Sequence, residues 1–363
     1  MDSMGIQLRE LLPISAESRP PEDVLTRLLA LDDPVDVTAL HGGARRVQLE
    51  RRGPEVHLRG LIEMSNRCAR DCLYCGIRRS NDGVERYLLS IDDIATTARW
   101  IGEQEFGSVV LQAGERTDAA FVDHVTAAIE AVREVAGPEV GITLSLGEQT
   151  DAVLRRWRDA GADRYLLRIE TTRPDIYRAL HPDHPDLDER IACLGRLRDG
   201  GWQVGTGVMI GLPGQTCDDL ARDILFFRDH DVDMIGMGPF LPHGDTPMAH
   251  ATVDPKEQLR LGLNMIAVTR LVLPDVNIAS TTSLHALADD GRERGVLAGA
   301  NVVMPNATDV RYRDGYLLYD GKPGTDETAE SSLAAMVRRM ESVGAVVSFG
   351  ERGDSLRWQR RRG

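Results

Sequence analysis

Cysteine is scarce in this 363-residue chain. There are five, an odd number, and three of them fall within eight residues. That distribution does not make a disulfide framework. Thiols packed so closely point to a metal held in a reducing compartment, so the cytoplasm is the expected location. Positive charge is also short: 43 Lys and Arg stand against 57 Asp and Glu, for a net charge of −14. A phosphate-tracking protein needs a basic face, so nucleic acid is not an expected partner. Long apolar runs are missing too. No window reaches the roughly 18 consecutive apolar residues of a membrane span, so no membrane partner is expected. Met1 to Pro13 has no charged region followed by a sustained apolar stretch, and no signal peptide is read there. Fixed-period short repeats and low-complexity segments are absent as well. What is present, 42% hydrophobic and 28% charged residues, is the composition of a soluble globular enzyme.

Residues 20–50 read as helical. Pro20 and Pro21 precede acids at Glu22 and Asp23, and Val24, Leu25, Leu28 and Leu29 recur at helical spacing. Gly53-Pro54 closes that region. Beyond it, β-prone stretches at 58–64, 108–112, 142–146, 164–168, 204–210, 234–238, 276–281 and 301–304 alternate with amphipathic ones. The latter include Ile91–Phe106, Ala119–Ala136, Asp151–Ala160, Leu187–Gly200, Cys217–His230 and Lys256–Leu273. Eight strands separated by helices imply parallel βαβ units, and right-handed closure predicts a complete (βα)8 TIM-type barrel; an open doubly wound sheet is the other option. The expected division is a helical extension over 1–54, the barrel over 55–320, and a C-terminal helix with a basic tail packing on the barrel over 321–363. Arg352, Arg357 and Arg360 to Arg362 near the end read by default as a solvated helix end or tail.

Chemistry in such a barrel sits at the C-terminal ends of the strands. The segment Asn66 to Gly76, NRCARDCLYCG, places Cys68, Cys72 and Cys75 at C-x3-C-x2-C spacing just after the first strand. Three thiolates can bind three irons of a cubane 4Fe–4S cluster and leave the fourth open. The amino and carboxylate groups of S-adenosylmethionine can chelate that iron, and electron transfer then yields a 5′-deoxyadenosyl radical. Arg67 and Arg70 supply positive charge nearby. A structural zinc knuckle would need a fourth ligand, and no His or Cys lies at finger spacing. Cys193 and Cys217 sit alone on helical stretches, where a cysteine is usually a small core hydrophobe.

Other strand ends carry polar residues. Gln112-Ala113-Gly114-Glu115 offers a carboxylate and backbone carbonyls for an ammonium, or is a plain turn ahead of a helix. Arg168 and Glu170, alternate residues at a strand end, are expected to point the same way into the barrel mouth. The Glu suits ribose hydroxyls and the Arg a carboxylate, or the two form a structural salt bridge. Gly205-Thr206-Gly207 with Gly211 has the wrong spacing and place for a dinucleotide fingerprint. Met209, Met234, Met237 and Met304 either fill the barrel or line a cofactor pocket. His181 and His184, in HPDHP, resemble a metal pair, though a proline-stiffened surface turn is the preferred reading. His243, Asp245 and His285 follow other strands.

On these residues the chain resembles the HydE-type radical-SAM maturases of FeFe-hydrogenase, within the biotin-synthase-like branch. The matching segments are Ser65–Arg79, Thr143–Glu148, Ala160–Thr171, Gly211–Thr216, Gly236–Pro247 and Ala300–Asn306. The resemblance implies a complete barrel, one 4Fe–4S cluster and S-adenosylmethionine near the barrel top. It implies ligand contacts from Tyr74, Gln112, Ala113, Gly114, Thr143, Ser145, Arg168, Glu170, Arg190, Met209, Thr281, Thr282 and Tyr312, to which Met304 is added as a cofactor contact. It also implies a role in building the hydrogenase diiron centre, where the radical attacks sulfur of a cysteine-derived iron synthon in a long internal cavity. The expected partners are that small or organometallic substrate, an external electron donor and other maturation proteins. Some relatives carry further cysteines in the C-terminal third; here none follows Cys217. Ile169 stands where some relatives have His, and it should point away from the mouth. The competing functions are a mutase resembling methylornithine synthase, a sulfur insertion resembling biotin synthase, and a non-catalytic iron–sulfur scaffold. Two isolated remaining cysteines speak against the sulfur insertion, which needs a sacrificial second cluster.

Overall fold

Two helices open the chain in the computed structural model, which describes residues 19–184 and 186–362. They are α1 (Glu22–Leu29) and α2 (Pro34–Arg52). The single helical region expected over 20–50 is broken between them. Pro34 has no N–H to continue a helix, and the Asp33 carboxylate accepts instead from the amides of Val35 and Asp36. The reading of Met1–Pro13, and the start of the expected 1–54 extension, lie outside the described residues.

The alternating region follows as β1 (Glu55–Leu58), β2 (Gly60–Ser65), α3 (Ile91–Glu103), β3 (Ser108–Ala113), α4 (Ala119–Ala136), β4 (Gly141–Ser145), α5 (Asp151–Asp159), β5 (Arg164–Leu166), α6 (Pro174–Leu180) and α7 (Leu187–Asp199). It continues with β6 (Gln203–Thr206), β7 (Met209–Ile210), α8 (Cys217–Asp229), β8 (Met234–Ile235), β9 (Gly238–Pro239), α9 (Pro255–Val272) and β10 (Asn277–Ile278). The chain ends with α10 (Thr282–Leu287), α11 (Gly291–Leu297), β11 (Val302–Val303), α12 (Val310–Arg313), α13 (Ala329–Ser342), β12 (Val346–Ser348) and α14 (Leu356–Arg362). The major helices match the sequence reading within a few residues because their caps are explicit. Capping boxes at Ser90/Asp93 and Thr216/Asp219 begin α3 and α8.

Seven strands form one parallel sheet in the order β10-β8-β6-β5-β4-β3-β2. It curls into a partial barrel, not the complete eight-stranded one expected. The eighth strand, β11, is two residues long and belongs to a separate three-stranded sheet, β11-β1-β12. Its partners are His57 and Leu58 of β1. Only isolated bridges, Ala279 with Val302 and Leu61 with Asn306, cross to the edges of the seven-stranded sheet.

The strands begin at a polar floor. Arg164, fully buried, donates to Asp354 Oδ1 (2.6 Å from Nη2) and to Ser108 Oγ (2.7 Å). Gln203 donates to the same carboxylate oxygen (3.0 Å), and Asn277 donates to the Gly353 carbonyl (2.8 Å). The segment 352–355 thus lies across the strand starts and leaves the opposite end for chemistry. The arginine-rich end is docked there and not a free tail. Arg361 bonds Asp233 at 2.6 Å and Asp231 at 2.7 Å, while Arg357 pairs with Asp231 and Arg360 with Asp275. Among the described residues no helix is long and apolar enough to cross a membrane.

Candidate active site

The cysteine loop leaves β2 and is pinned along its length by buried polar groups. Asn66, fully buried, donates to the carbonyls of Glu85 and Gly315, both at 2.7 Å, and accepts from the Tyr87 amide at 2.8 Å. Arg86 gathers four carbonyls of the same region, donating to Asn66 (2.7 Å), Ile77 (2.8 Å), Arg78 (2.5 Å) and Asn81 (2.9 Å). Irregular backbone forms no ladder of its own, so its carbonyls need such donors. Two glycines let neighbouring backbone come close. A Cβ on Gly114 would lie 2.5 Å from the Arg67 carbonyl and 2.7 Å from Cys68 Cβ. A Cβ on Gly76 would lie 2.1 Å from the Leu317 carbonyl. The Leu73 amide donates to the Leu180 carbonyl at 2.9 Å, which ties the loop to the end of α6.

Above the loop lies a cavity of about 240 Å³ at the C-terminal ends of the strands. Cys68 and Cys75 open into it, with Tyr74, Gln112, Ala113, Gly114, Ser145, Arg168, Glu170, Arg190 and Met209 from the expected set. Arg168 and Glu170 face it together, although the alternation argument does not apply. β5 stops at Leu166, and Glu170 has φ 63°, a left-handed conformation outside the extended backbone that alternation assumes. Their side chains pair at 2.9 Å, and Arg168 Nη2 also donates to the Val208 carbonyl at 2.9 Å. Ile169 is fully buried in the core, away from the cavity.

Arg190 organises the charge. Its Nε donates to the Arg168 carbonyl at 2.7 Å, and Nη1 reaches Glu148 at 2.9 Å and Glu115 at 3.3 Å. Glu115 also accepts from Arg70 at 2.6 Å. Burial alone would raise the Glu148 pKa, but Arg190 and His184 outweigh it and hold it below the usual carboxylate range. Glu115 thus pairs with two guanidinium groups, Arg70 and Arg190.

Residues 62–227 match the family model described as "Radical SAM superfamily". The chain is 40% identical over 336 residues to the [FeFe] hydrogenase maturase subunit HydE of Thermotoga maritima, covering 93% of this chain and 94% of that protein. It belongs to the HydE family. It is 26% identical over 326 residues to 3-methylornithine synthase of Methanosarcina acetivorans, covering 89% of each. The crystal structure of methylornithine synthase (PylB) shares the fold with a TM-score of 0.81 at 24% identity, over 95% of this chain and 98% of that one.

This HydE-family chain is a radical-SAM enzyme, and its cofactors are a 4Fe–4S cluster and S-adenosylmethionine. The thiols fit such a cluster. None of the three is in a disulfide, and all are half-buried on one pinned loop. Burial, with the charge of Cys68 next, pushes the Cys75 thiol up to about 12. Burial, then Cys75 and Cys68, lifts Cys72 well above its ordinary value. Three thiolates this close and this poorly hydrated need a cation to form, and cluster iron is one.

The remaining expected contacts lie elsewhere. Cys72 does not line the cavity, though it shares the loop. Thr143 is buried within β4 and its hydroxyl lacks a partner. Thr282 and Met304 line a second, smaller cavity. Thr281 bonds Ser283 at 3.0 Å, and it is Ser283 that reaches the main cavity. Tyr312 packs on Tyr87 at 5.0 Å, outside the cavity; Tyr316 and Tyr319 line it instead. The HPDHP run is no surface metal pair: His181 is buried between Tyr177 and Tyr74, and His184 bonds Glu148 at 2.9 Å. Sequence reasoning missed Arg86, Tyr316, Tyr319 and the buried Glu63–Lys322 pair at 2.6 Å. No spacing marks them, since they come from β2 and from loops that meet only in the folded chain.

Proposed function

We propose that Cys68, Cys72 and Cys75 hold the 4Fe–4S cluster and that the cavity above them takes S-adenosylmethionine and a sulfur-bearing, amino-acid-like substrate during assembly of the FeFe-hydrogenase diiron centre. The observation that carries this reading is two cysteines opening into a cavity of about 240 Å³ that also presents Arg168, Glu170 and Arg190. When bound, the cluster supplies the electron that cleaves S-adenosylmethionine to the 5′-deoxyadenosyl radical, whose target is sulfur of a cysteine-derived, iron-bound synthon.

The chain's own residues bind and orient. Arg168 presents a planar fork suited to a carboxylate. Glu170, its partner at 2.9 Å, accepts from ribose hydroxyls. Gln112, Ala113, Gly114 and Ser145 supply short polar and backbone contacts from the ends of β3 and β4. Tyr74 and Met209 form apolar walls that exclude water from the radical. Arg190 positions Arg168 through its carbonyl. We keep the 1–54, 55–320 and 321–363 division as a proposal, supported by α1 and α2 ahead of the alternating region and by a C-terminal segment docked across the strand starts. We read the cytoplasm as the location and an external electron donor and other maturation proteins as partners; the free thiols and the family support this reading.

The test is a maturation assay with purified partner maturases and apo-hydrogenase. Hydrogen evolution should require this chain and fall steeply with Arg168→Gln. Equal activity without the chain would remove the hydrogenase role. The likeness to 3-methylornithine synthase supports a second reading, a mutase on an amino acid. It is favoured only if 3-methylornithine accumulates in turnover mixtures.

A further inference from the structure

A second cavity, of about 60 Å³, opens beside the first between the residues after β11, the 322–327 segment and α13. Its charged lining is three cations, Arg292, Lys322 and Arg339, against one carboxylate, Glu327. Two of those cations are already matched. Lys322 pairs with Glu63 at 2.6 Å and Arg339 with Glu293 at 3.1 Å. Arg292 is different. Its Nη2 donates to Thr282 Oγ1 at 3.1 Å, and no carboxylate lies within ion-pair distance of it among the described residues. Burial pulls its pKa down, and His285 Nδ1 is buried without a partner. A guanidinium removed from water is stabilised by an anion, and the Thr282 hydroxyl is the one hydrogen-bond partner of this one among the described residues.

We propose that this cavity binds a small carboxylate on Arg292, with the Thr282 hydroxyl holding the guanidinium in place. The planar fork of Arg292 matches a carboxylate. Glu327 also lines the cavity, which favours a single negative charge over the two of phosphate. The carboxylate comes either from a free small acid or from the end of an amino acid.

Calorimetry on the cluster-loaded protein, without reductant, tests the site separately from the radical chemistry. Sodium acetate is titrated against a sodium chloride control of equal ionic strength. A saturable component that persists in Arg168→Gln is expected, and Arg292→Gln should weaken that component by about tenfold or more, the loss of one charge-assisted pair. Thr282→Val should weaken it less, and it keeps the test alive if the arginine variant does not fold. L-cysteine displacing acetate assigns the site to an amino-acid carboxylate; acetate binding undisturbed by cysteine assigns it to a free acid. Absence of saturable acetate binding, equal binding by folded Arg292 and Thr282 variants, or phosphate binding as tightly as acetate would each overturn the proposal.

Discussion

Arg190 holds two carboxylates, Glu115 and Glu148, beside the cysteine loop, so its removal leaves negative charge facing the thiols. Arg190→Ala should destabilise the fold by about 3–5 kcal/mol, the cost of breaking a buried pair, and lower cluster content. Urea unfolding and iron analysis check the two effects; unchanged iron loading would contradict the role. Cys72→Ala should remove both cluster absorbance and 5′-deoxyadenosine formation, and a surviving cluster would overturn the ligand assignment. Gly114→Ala should displace the loop, because its Cβ would meet the Arg67 carbonyl at 2.5 Å; impaired reconstitution with normal helical content is the expected signature. The cysteine motif was legible because its ligands are contiguous. The state of Glu115 was not, because Arg70 and Arg190 reach it from different loops. Tyr316 and Tyr312 differ by one turn, and only the fold shows that Tyr316 faces the cavity while Tyr312 packs on Tyr87.

At the scale of elements, α6 ends on His181, whose ring is stacked 4.1 Å from Tyr177 and whose Nε2 lies 3.3 Å from Tyr74 OH. Burial, the largest cause, lowers the His181 pKa from 6.5 to about 4. The folded state therefore binds a proton less readily than the unfolded one. Its stabilising contribution is full above pH 6.5 and is lost as pH falls toward 4. Urea midpoints should drop across that window, and His181→Gln should flatten the slope; parallel curves would contradict it. At the opposite end, Asp354 holds Arg164 and Gln203 at the starts of β5 and β6. Asp354→Ala should cost about 3–5 kcal/mol by leaving the Arg164 guanidinium buried without its partner. Long capped helices were readable from sequence, with α4 matching residue for residue. The places of β10 and β11 were readable as well, inside the stretches 276–281 and 301–304, but their two-residue lengths were not, because pairing depends on neighbours and not on a strand's own pattern.

At the scale of the molecule, alternation predicted parallel βαβ units correctly and overstated their closure. Hydrophobic spacing counts strands, but whether the last one ladders to its neighbours depends on competing pairings, here with β1. The consequence for function is that the seven-stranded sheet and its loops, with the 316–319 segment laid over the mouth, enclose the main cavity. The cysteine loop supplies one wall. The central claim is that these parts perform reductive cleavage of S-adenosylmethionine. Protein reconstituted anaerobically with iron and sulfide, then mixed with S-adenosylmethionine and dithionite, tests it directly. 5′-Deoxyadenosine that depends on both reductant and all three cysteines is expected. A fully loaded cluster that forms none would contradict it.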